Sequence, residues 1–177
     1  GRLLFDNFNL AIYGHTRLAI NGPNGSGKTT LVKLILKEIE PLEGKVSLGL
    51  DRFAYLDQSI SMLDRDKPLL ENIKNISGLD DNFARKWLAR FMFRGQDAFK
   101  KVGALSGGEK MRAALACILA GDKPPNLLVL DEPTNNLDLN SIEQIESALL
   151  NFHGALIVIS HDKSFLENIK IEKELAF

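Results

Sequence analysis

Positions 22 to 30 read Gly22-Pro23-Asn24-Gly25-Ser26-Gly27-Lys28-Thr29-Thr30. Glycines at this spacing let successive backbone N–H groups turn inward on one anion, and the run matches the phosphate-binding loop pattern. The predicted chemistry is capture of a nucleotide triphosphate such as ATP. The loop amides and the positive end of the following helix hold the phosphates, Lys28 reaches the β- and γ-phosphates, and the Thr29 hydroxyl binds Mg²⁺. A second group lies downstream, where the apolar run Leu127-Leu128-Val129-Leu130 ends in Asp131-Glu132. Two carboxylates at the end of a buried strand stand where α/β sheets bind ligands. Asp131 is then placed to hold Mg²⁺ through its water shell, and Glu132 to polarise an attacking water as general base. Taken alone, an Asp-Glu pair also serves as an ordinary helix-start signal. Its companion, the phosphate loop, is what gives it a functional reading. The third group is Leu105-Ser106-Gly107-Gly108-Glu109, immediately ahead of a helical stretch. A capped helix start explains Ser106. It does not explain two adjacent glycines, which point to a second anion site at a helix N-terminus.

These residues need elements to position them. Leu10-Ala11-Ile12 and Leu18-Ala19-Ile20, separated by Gly14-His15-Thr16, read as early strands. From Lys28 the spacing turns helical, with Leu31, Leu34, Ile35 and Ile39 on one face and Pro41 to Gly44 as the stop. Val46-Ser47-Leu48 and Phe53-Ala54-Tyr55-Leu56 read as short strands. The strand signal then vanishes, and Leu69 to Ile76 and Asp81 to Phe93 carry apolar residues at helical spacing, which predicts a helical subdomain over about 59–105. Trp87, Phe91 and Phe93 are its expected core. A helix over about Glu109 to Leu119, the strand at Leu127, a helix from Leu139 to Leu150 and a strand from Ala155 to Ile159 complete an alternation of strands and helices. That alternation predicts an α/β fold with a mostly parallel sheet.

Composition narrows the class. The 177 residues fit a single domain, with 45% apolar and 25% charged residues and a formal net charge of -1. Near-neutrality offers no global attraction for nucleic acid, although a local basic patch would not register in the sum. One cysteine, Cys117, excludes an internal disulfide; it sits in an apolar run and reads as a small buried hydrophobe in a reducing, cytoplasmic setting. No apolar stretch has the length of a membrane span, and the sequence holds no internal repeat.

The phosphate loop, Gln58 after a strand, Leu-Ser-Gly-Gly-Glu at 105–109, Leu-Leu-Val-Leu-Asp-Glu-Pro at 127–133 and Ser160-His161-Asp162, in this order, resemble the nucleotide-binding domain of ABC ATPases. The resemblance implies a P-loop NTPase core with a parallel sheet, an antiparallel β edge and a helical subdomain. It implies a composite site, in which ATP on one domain's loop is closed by Ser106, Gly107 and Gly108 of an opposing domain. It also implies that Gln58 contacts Mg²⁺ and the attacking water, and that His161 contacts the γ-phosphate. On its own residues, His161 reads only as a histidine at a strand end.

Within that family, Glu109-Lys110, Thr134-Asn135-Asn136-Leu137-Asp138 and Ser160-His161-Asp162-Lys163-Ser164-Phe165-Leu166 resemble the ABC-F branch, soluble proteins with two such domains in one chain that act on ribosomes. Asn136 and Lys163 depart from the branch's usual histidine and arginine. The family's adenine-stacking aromatic has no counterpart in the expected register, and Phe5 and Phe8 read as core. The resemblance implies a piece of a longer chain, most like the second domain, whose partners are a second ABC domain and the ribosome. Two other readings stay open: the ATP-binding motor subunit of a membrane transporter, coupled through the helical block, and an ATP-gated binding module that does not hydrolyse. Glu132, a base in place, speaks against the last.

Overall fold

The computed structural model describes residues 3–177. Arg17–Asn21 (β1), Phe53–Leu56 (β2), Leu127–Asp131 (β3), Ala155–Ile159 (β4) and Lys173–Ala176 (β5) form one sheet in the order β2-β3-β4-β1-β5. Every pairing in it is parallel. The apolar runs of β1, β3 and β4 show no polar alternation because both faces of the sheet are covered. Leu18, Ile20, Leu127, Val129, Ala155, Ile157 and Ile159 face Leu31, Val32 and Leu36, in and just after the helix Lys28–Ile35 (α1). The intervening residues Ala19, Leu128, Leu130, Leu156 and Val158 join the larger core on the other face.

That larger core is built by Leu69–Ser77 (α2), Asp81–Arg90 (α3), Gly107–Ile118 (α4), Leu139–Leu150 (α5) and Lys163–Asn168 (α6), with 3-10 turns at Gly95–Phe99 and Val102–Ala104. Between β2 and β3 the described chain is helical or irregular, and the apolar residues of that block share one core with the sheet. Phe91 and Phe93 are buried there, Trp87 packs against Phe91, and Cys117 is buried on α4. Buried Asn72 ties down the loop before α2: its Oδ1 accepts from the Asp64 N–H, and its Nδ2 donates to the Asp64 and Pro68 carbonyls. Arg17, on β1, donates to the carbonyls of Leu149, Phe152 and Ile169, and so caps the C-terminal ends of α5 and α6.

The expected antiparallel β edge is not formed among the described residues. Neither 10–12 nor 46–48 has a ladder partner. Ile12, Leu48 and Leu50 instead contact the core through their side chains, and a three-residue apolar run does not distinguish side-chain packing from strand pairing. α1 stops at Ile35, because Lys37 turns left-handed (φ 58°) and its N–H bonds back to the Leu34 carbonyl. Ile39 is accordingly exposed. α3 stops at Arg90, with Met92 left-handed at φ 66°, so Phe91 and Phe93 reach the core from a turn. α6 and β5 lie beyond the last strand read from the sequence: Asp162 caps α6 by accepting from the Phe165 N–H, and β5 is held by its pairing with β1.

Candidate functional site

Parallel strands all end at one edge of the sheet. There β1 runs into Gly22, β2 into Asp57-Gln58, β3 ends at Asp131 ahead of Glu132, and β4 leads to Ser160-His161. A cavity of about 320 Å³ opens at this edge, lined by Leu4, Asn24, Gly25, Gly27, Lys28, Thr29, Thr30, Gln58, Asp131 and Glu132. The loop, the strand-end carboxylates and Gln58 are therefore brought together at one edge, while His161 does not line this cavity.

Gly27 takes φ 114° and caps α1 without offering a side-chain acceptor, so the first-turn N–H groups of α1 remain available to an anion. A Cβ on Gly22 would stand 2.9 Å from the Ser26 hydroxyl and from Phe177 Cβ; only glycine fits that turn. Ser26 Oγ is buried without a hydrogen-bond partner at the base of the loop. Lys28 is buried, and its Nζ donates to the Gly22 carbonyl at 2.6 Å and the Pro23 carbonyl at 3.0 Å.

The carboxylates are held by strand register. Asp131 pairs with Ile159, and the Glu132 N–H donates to the Ile159 carbonyl at 2.8 Å, so the next residues along β4 meet Glu132 from the side. His161 Nε2 lies 3.4 Å from Glu132 Oε1. Glu132 takes φ 49°, a left-handed conformation unfavourable for a residue with a long side chain. Such strain is held by surrounding structure and concentrates at functional sites. Burial raises the Glu132 carboxyl above its ordinary value, with His161 pulling the other way. Burial raises Asp131 as well, opposed by a hydrogen bond from Tyr55 and by the charge of Lys28.

Tyr55 was not among the sequence candidates. Its hydroxyl donates to Asp131 Oδ2 at 3.1 Å, and burial together with the Asp131 charge holds the phenol above its usual range. The available signal was its place near the end of β2, in a strand that pairs with β3. Leu4 was also missed, and Phe5 approaches Gly27 closely, its Cζ 3.3 Å from where a Cβ would stand. Phe5 is half-buried against the core, as expected, whereas Phe8 is exposed.

The Leu-Ser-Gly-Gly-Glu segment does not line this cavity. Nor do its glycines precede a helix, since both lie in the first turn of α4 behind the Ser106 N-cap. Ser106 Oγ accepts from the Glu109 N–H while Glu109 Oε2 accepts from the Ser106 N–H, a reciprocal capping box. Packing accounts for Gly108, where a Cβ would meet Ser141 Oγ at 2.4 Å. Gly107 is exposed, with only Leu137 at an ordinary 3.7 Å, so the fold makes no demand for glycine there.

The ABC transporter family model matches residues 5–135. An ATP-binding protein Uup-like of Haemophilus influenzae is 40% identical over 97% of this chain and 38% of its own length. The energy-dependent translational throttle protein EttA of Escherichia coli strain K12 is 40% identical over 95% of this chain and 31% of its own length. The chain thus spans well under half the length of these relatives. Among solved structures, a dimeric ATP-binding cassette in a post-hydrolysis state bound to ADP and Pi superposes with a TM-score of 0.75 at 26% identity, covering 93% of this chain and 83% of the other. An archaeal ribosome recycling factor, in complex with a ribosomal stalk protein, matches with a TM-score of 0.73 at 28% identity over 92% of this chain and 32% of its own.

Proposed function

The chain belongs to the ABC transporter family of ATP-binding domains, and from that membership we propose that it binds ATP with Mg²⁺ and hydrolyses it when paired with a second such domain. The observation that carries this reading is the cavity in which Lys28, Thr29, Asp131 and Glu132 meet at the ends of parallel strands. Among the described residues there is no cluster of three or more His, Cys, Asp or Glu that would cage a metal. One strand-end carboxylate, the Thr29 hydroxyl and the Gln58 amide make up a sparse oxygen set. Such a set suits a hard cation that keeps waters and takes its other ligands from phosphates. Bound there, Mg²⁺ would neutralise charge on the phosphate oxygens.

The chain's own residues do the rest. The α1 amides and the loop from Gly22 to Thr30 hold the phosphates, and Lys28 exchanges two neutral carbonyls for an anion, a stronger hydrogen bond. Glu132 receives a proton from the attacking water, with its raised pKa bringing proton affinity closer to that task. In this reading His161, beside Glu132, contacts the γ-phosphate, and Gln58 orients the water. Ser106, Gly107 and Gly108 act in trans on the partner domain's nucleotide. Their absence from the chain's own cavity supports this division, as does the dimeric state of a solved relative.

The wider role follows the ABC-F resemblance: a cytoplasmic factor acting on the ribosome, supported by the likeness to a translational throttle protein. No described helix is long and apolar enough to cross a membrane. Two substitutions test the core reading. Lys28→Ala should abolish measurable ATP binding by calorimetry. Glu132→Gln should lower turnover of the assembled protein by about 10²- to 10⁴-fold with ATP still bound. Unchanged affinity in the first, or a loss of less than about tenfold in the second, would assign the roles elsewhere.

A further inference from the structure

The ATP site leaves the outer face of α3 unexplained. From Asp81 to Lys101 the chain carries six cations (Arg85, Lys86, Arg90, Arg94, Lys100 and Lys101) against two carboxylates, a local +4 in a chain of net charge -1. Helical spacing sorts them. Ala84 and Leu88 turn inward, which puts Phe83, Lys86 and Arg90 together on the outer side at i, i+3 and i+7, with Trp87 half-buried at the edge of that face and packed against the core. Lys86 Nζ lies 5.8 Å from the centre of the Phe83 ring, and the Arg90 guanidinium 5.1 Å from that of Trp87. Phe83 is 61% exposed. The Trp87 ring is fixed at its other edge, where Nε1 donates to the Ala116 carbonyl at 2.8 Å.

The carboxylates nearby are already engaged. Asp80 caps the helix through the Phe83 N–H, and Asp81 pairs with Lys74 and Arg85. Among the described residues Lys86 and Arg90 form no ion pair. Asp81 and Arg85 pair along the helix, whereas Lys86 and Arg90 have no carboxylate to meet. Here cations without carboxylates are interleaved with flat rings, the chemistry that binds a polyanion whose units present both a phosphate and a π-face.

We propose that the outer face of α3, built on Phe83, Lys86 and Arg90 with the Trp87 ring beneath the Arg90 guanidinium, is a docking surface for RNA with unpaired bases. The cations take the phosphates, and the Phe83 ring and the Arg90 plane offer stacking surfaces. Phe83 is the one large exposed hydrophobe within α3, with Met92 and Phe99 exposed in the turns that follow, and vesicle binding is therefore the alternative that the test must separate from RNA. The proposal deepens the ribosome reading and rests on it for its biological sense, but its measurement does not depend on ATP.

The test is fluorescence anisotropy of the 177-residue chain with a labelled mixed-sequence single-stranded RNA, without nucleotide, across a salt series. Double-stranded RNA of equal length and phosphatidylserine vesicles serve as alternatives. Binding should be on the order of micromolar at low salt and weaken with log salt by about 0.7 per phosphate neutralised. K86E/R90E should weaken it by about tenfold or more and flatten the salt slope. Phe83→Ala should weaken it by at least about fivefold with the slope unchanged, and Phe83→Trp should restore it. Each variant is checked for an unchanged thermal melt and ATP affinity. The proposal is overturned by no binding of the wild-type chain, by full binding of K86E/R90E, by an inert Phe83→Ala, or by preference for duplex or vesicles. Failure of ATP binding in the wild-type chain would instead count against the nucleotide site and leave the RNA result standing.

Discussion

At the scale of single residues, the two strand-end carboxylates show what the site takes from the fold. Glu132 is held at φ 49° and its carboxyl is raised by burial, so its charge opposes folding. A group whose folded pKa lies above its unfolded one binds protons more tightly when folded, so its unfavourable contribution is present at neutral pH and disappears as pH falls through the folded pKa. Glu132→Gln should therefore melt higher than the wild type at neutral pH, and thermal scans should show that gap closing in acid. A constant gap, or none, would mean the burial of Glu132 does not penalise its charge. In the proposed mechanism Tyr55 acts one step back from the chemistry, as a positioning residue for Asp131. Tyr55→Phe removes the hydroxyl that holds Asp131 Oδ2 and lowers its pKa. Turnover should fall by about tenfold or more, with a higher Mg²⁺ requirement and an acid limb moved to higher pH. A drop in turnover with the pH profile unmoved would indicate a packing effect instead.

At the scale of elements, the first turn of α4 separates what the fold requires from what function requires. Gly108→Ala drives a Cβ into Ser141, whose hydroxyl and N–H both bond the Asp138 cap of α5, and should destabilise the domain by about 1–3 kcal/mol. Gly107→Ala has room and sits in a helix, so it should be neutral or stabilising by up to about 1 kcal/mol. Denaturant melts of the two variants measure both effects. The sequence could not rank these glycines, because the distinction lies in a contact between two helices, Gly108 of α4 against Ser141 of α5. Where the pattern is long and regular the sequence was more legible: the bounds read for α5 and β4 agree with the structure, the first a periodic run capped by Asp138 and the second an apolar run buried throughout. Short segments were less so. Residues 10–12 and 46–48 have the side chains of strands without a ladder, whereas β5 is a strand with mostly exposed residues, set by its pairing to β1 rather than by its own pattern. Within the site, the loop and carboxylates were legible from spacing, but Tyr55 acquires its meaning only through the register of β2 on β3.

At the scale of the whole molecule, the question is what closes the cavity. The chain's own Ser106, Gly107 and Gly108 take no part in lining it, while Gly107 stays exposed at the head of a helix closed by the Ser106–Glu109 capping box. A solved relative of the same fold is a dimer bound to ADP and Pi. If the γ-phosphate meets this helix only across a dimer, the isolated chain should be monomeric without nucleotide and a poor ATPase with it. A tethered second domain would be presented at an effective concentration in the millimolar range, an advantage the separate chain lacks. Self-association should therefore require high protein concentration and ATP, and should be strongest in Glu132→Gln, where hydrolysis does not discharge the closed state. Gly107→Arg is the informative block, because it keeps the Ser106–Glu109 capping box and places a long cation where the partner's nucleotide would dock. Sedimentation velocity should show this variant monomeric with ATP while calorimetry shows its ATP affinity unchanged. A tight dimer without nucleotide, or a Gly107→Arg protein that still dimerises with ATP, would place the closing surface somewhere other than the head of α4.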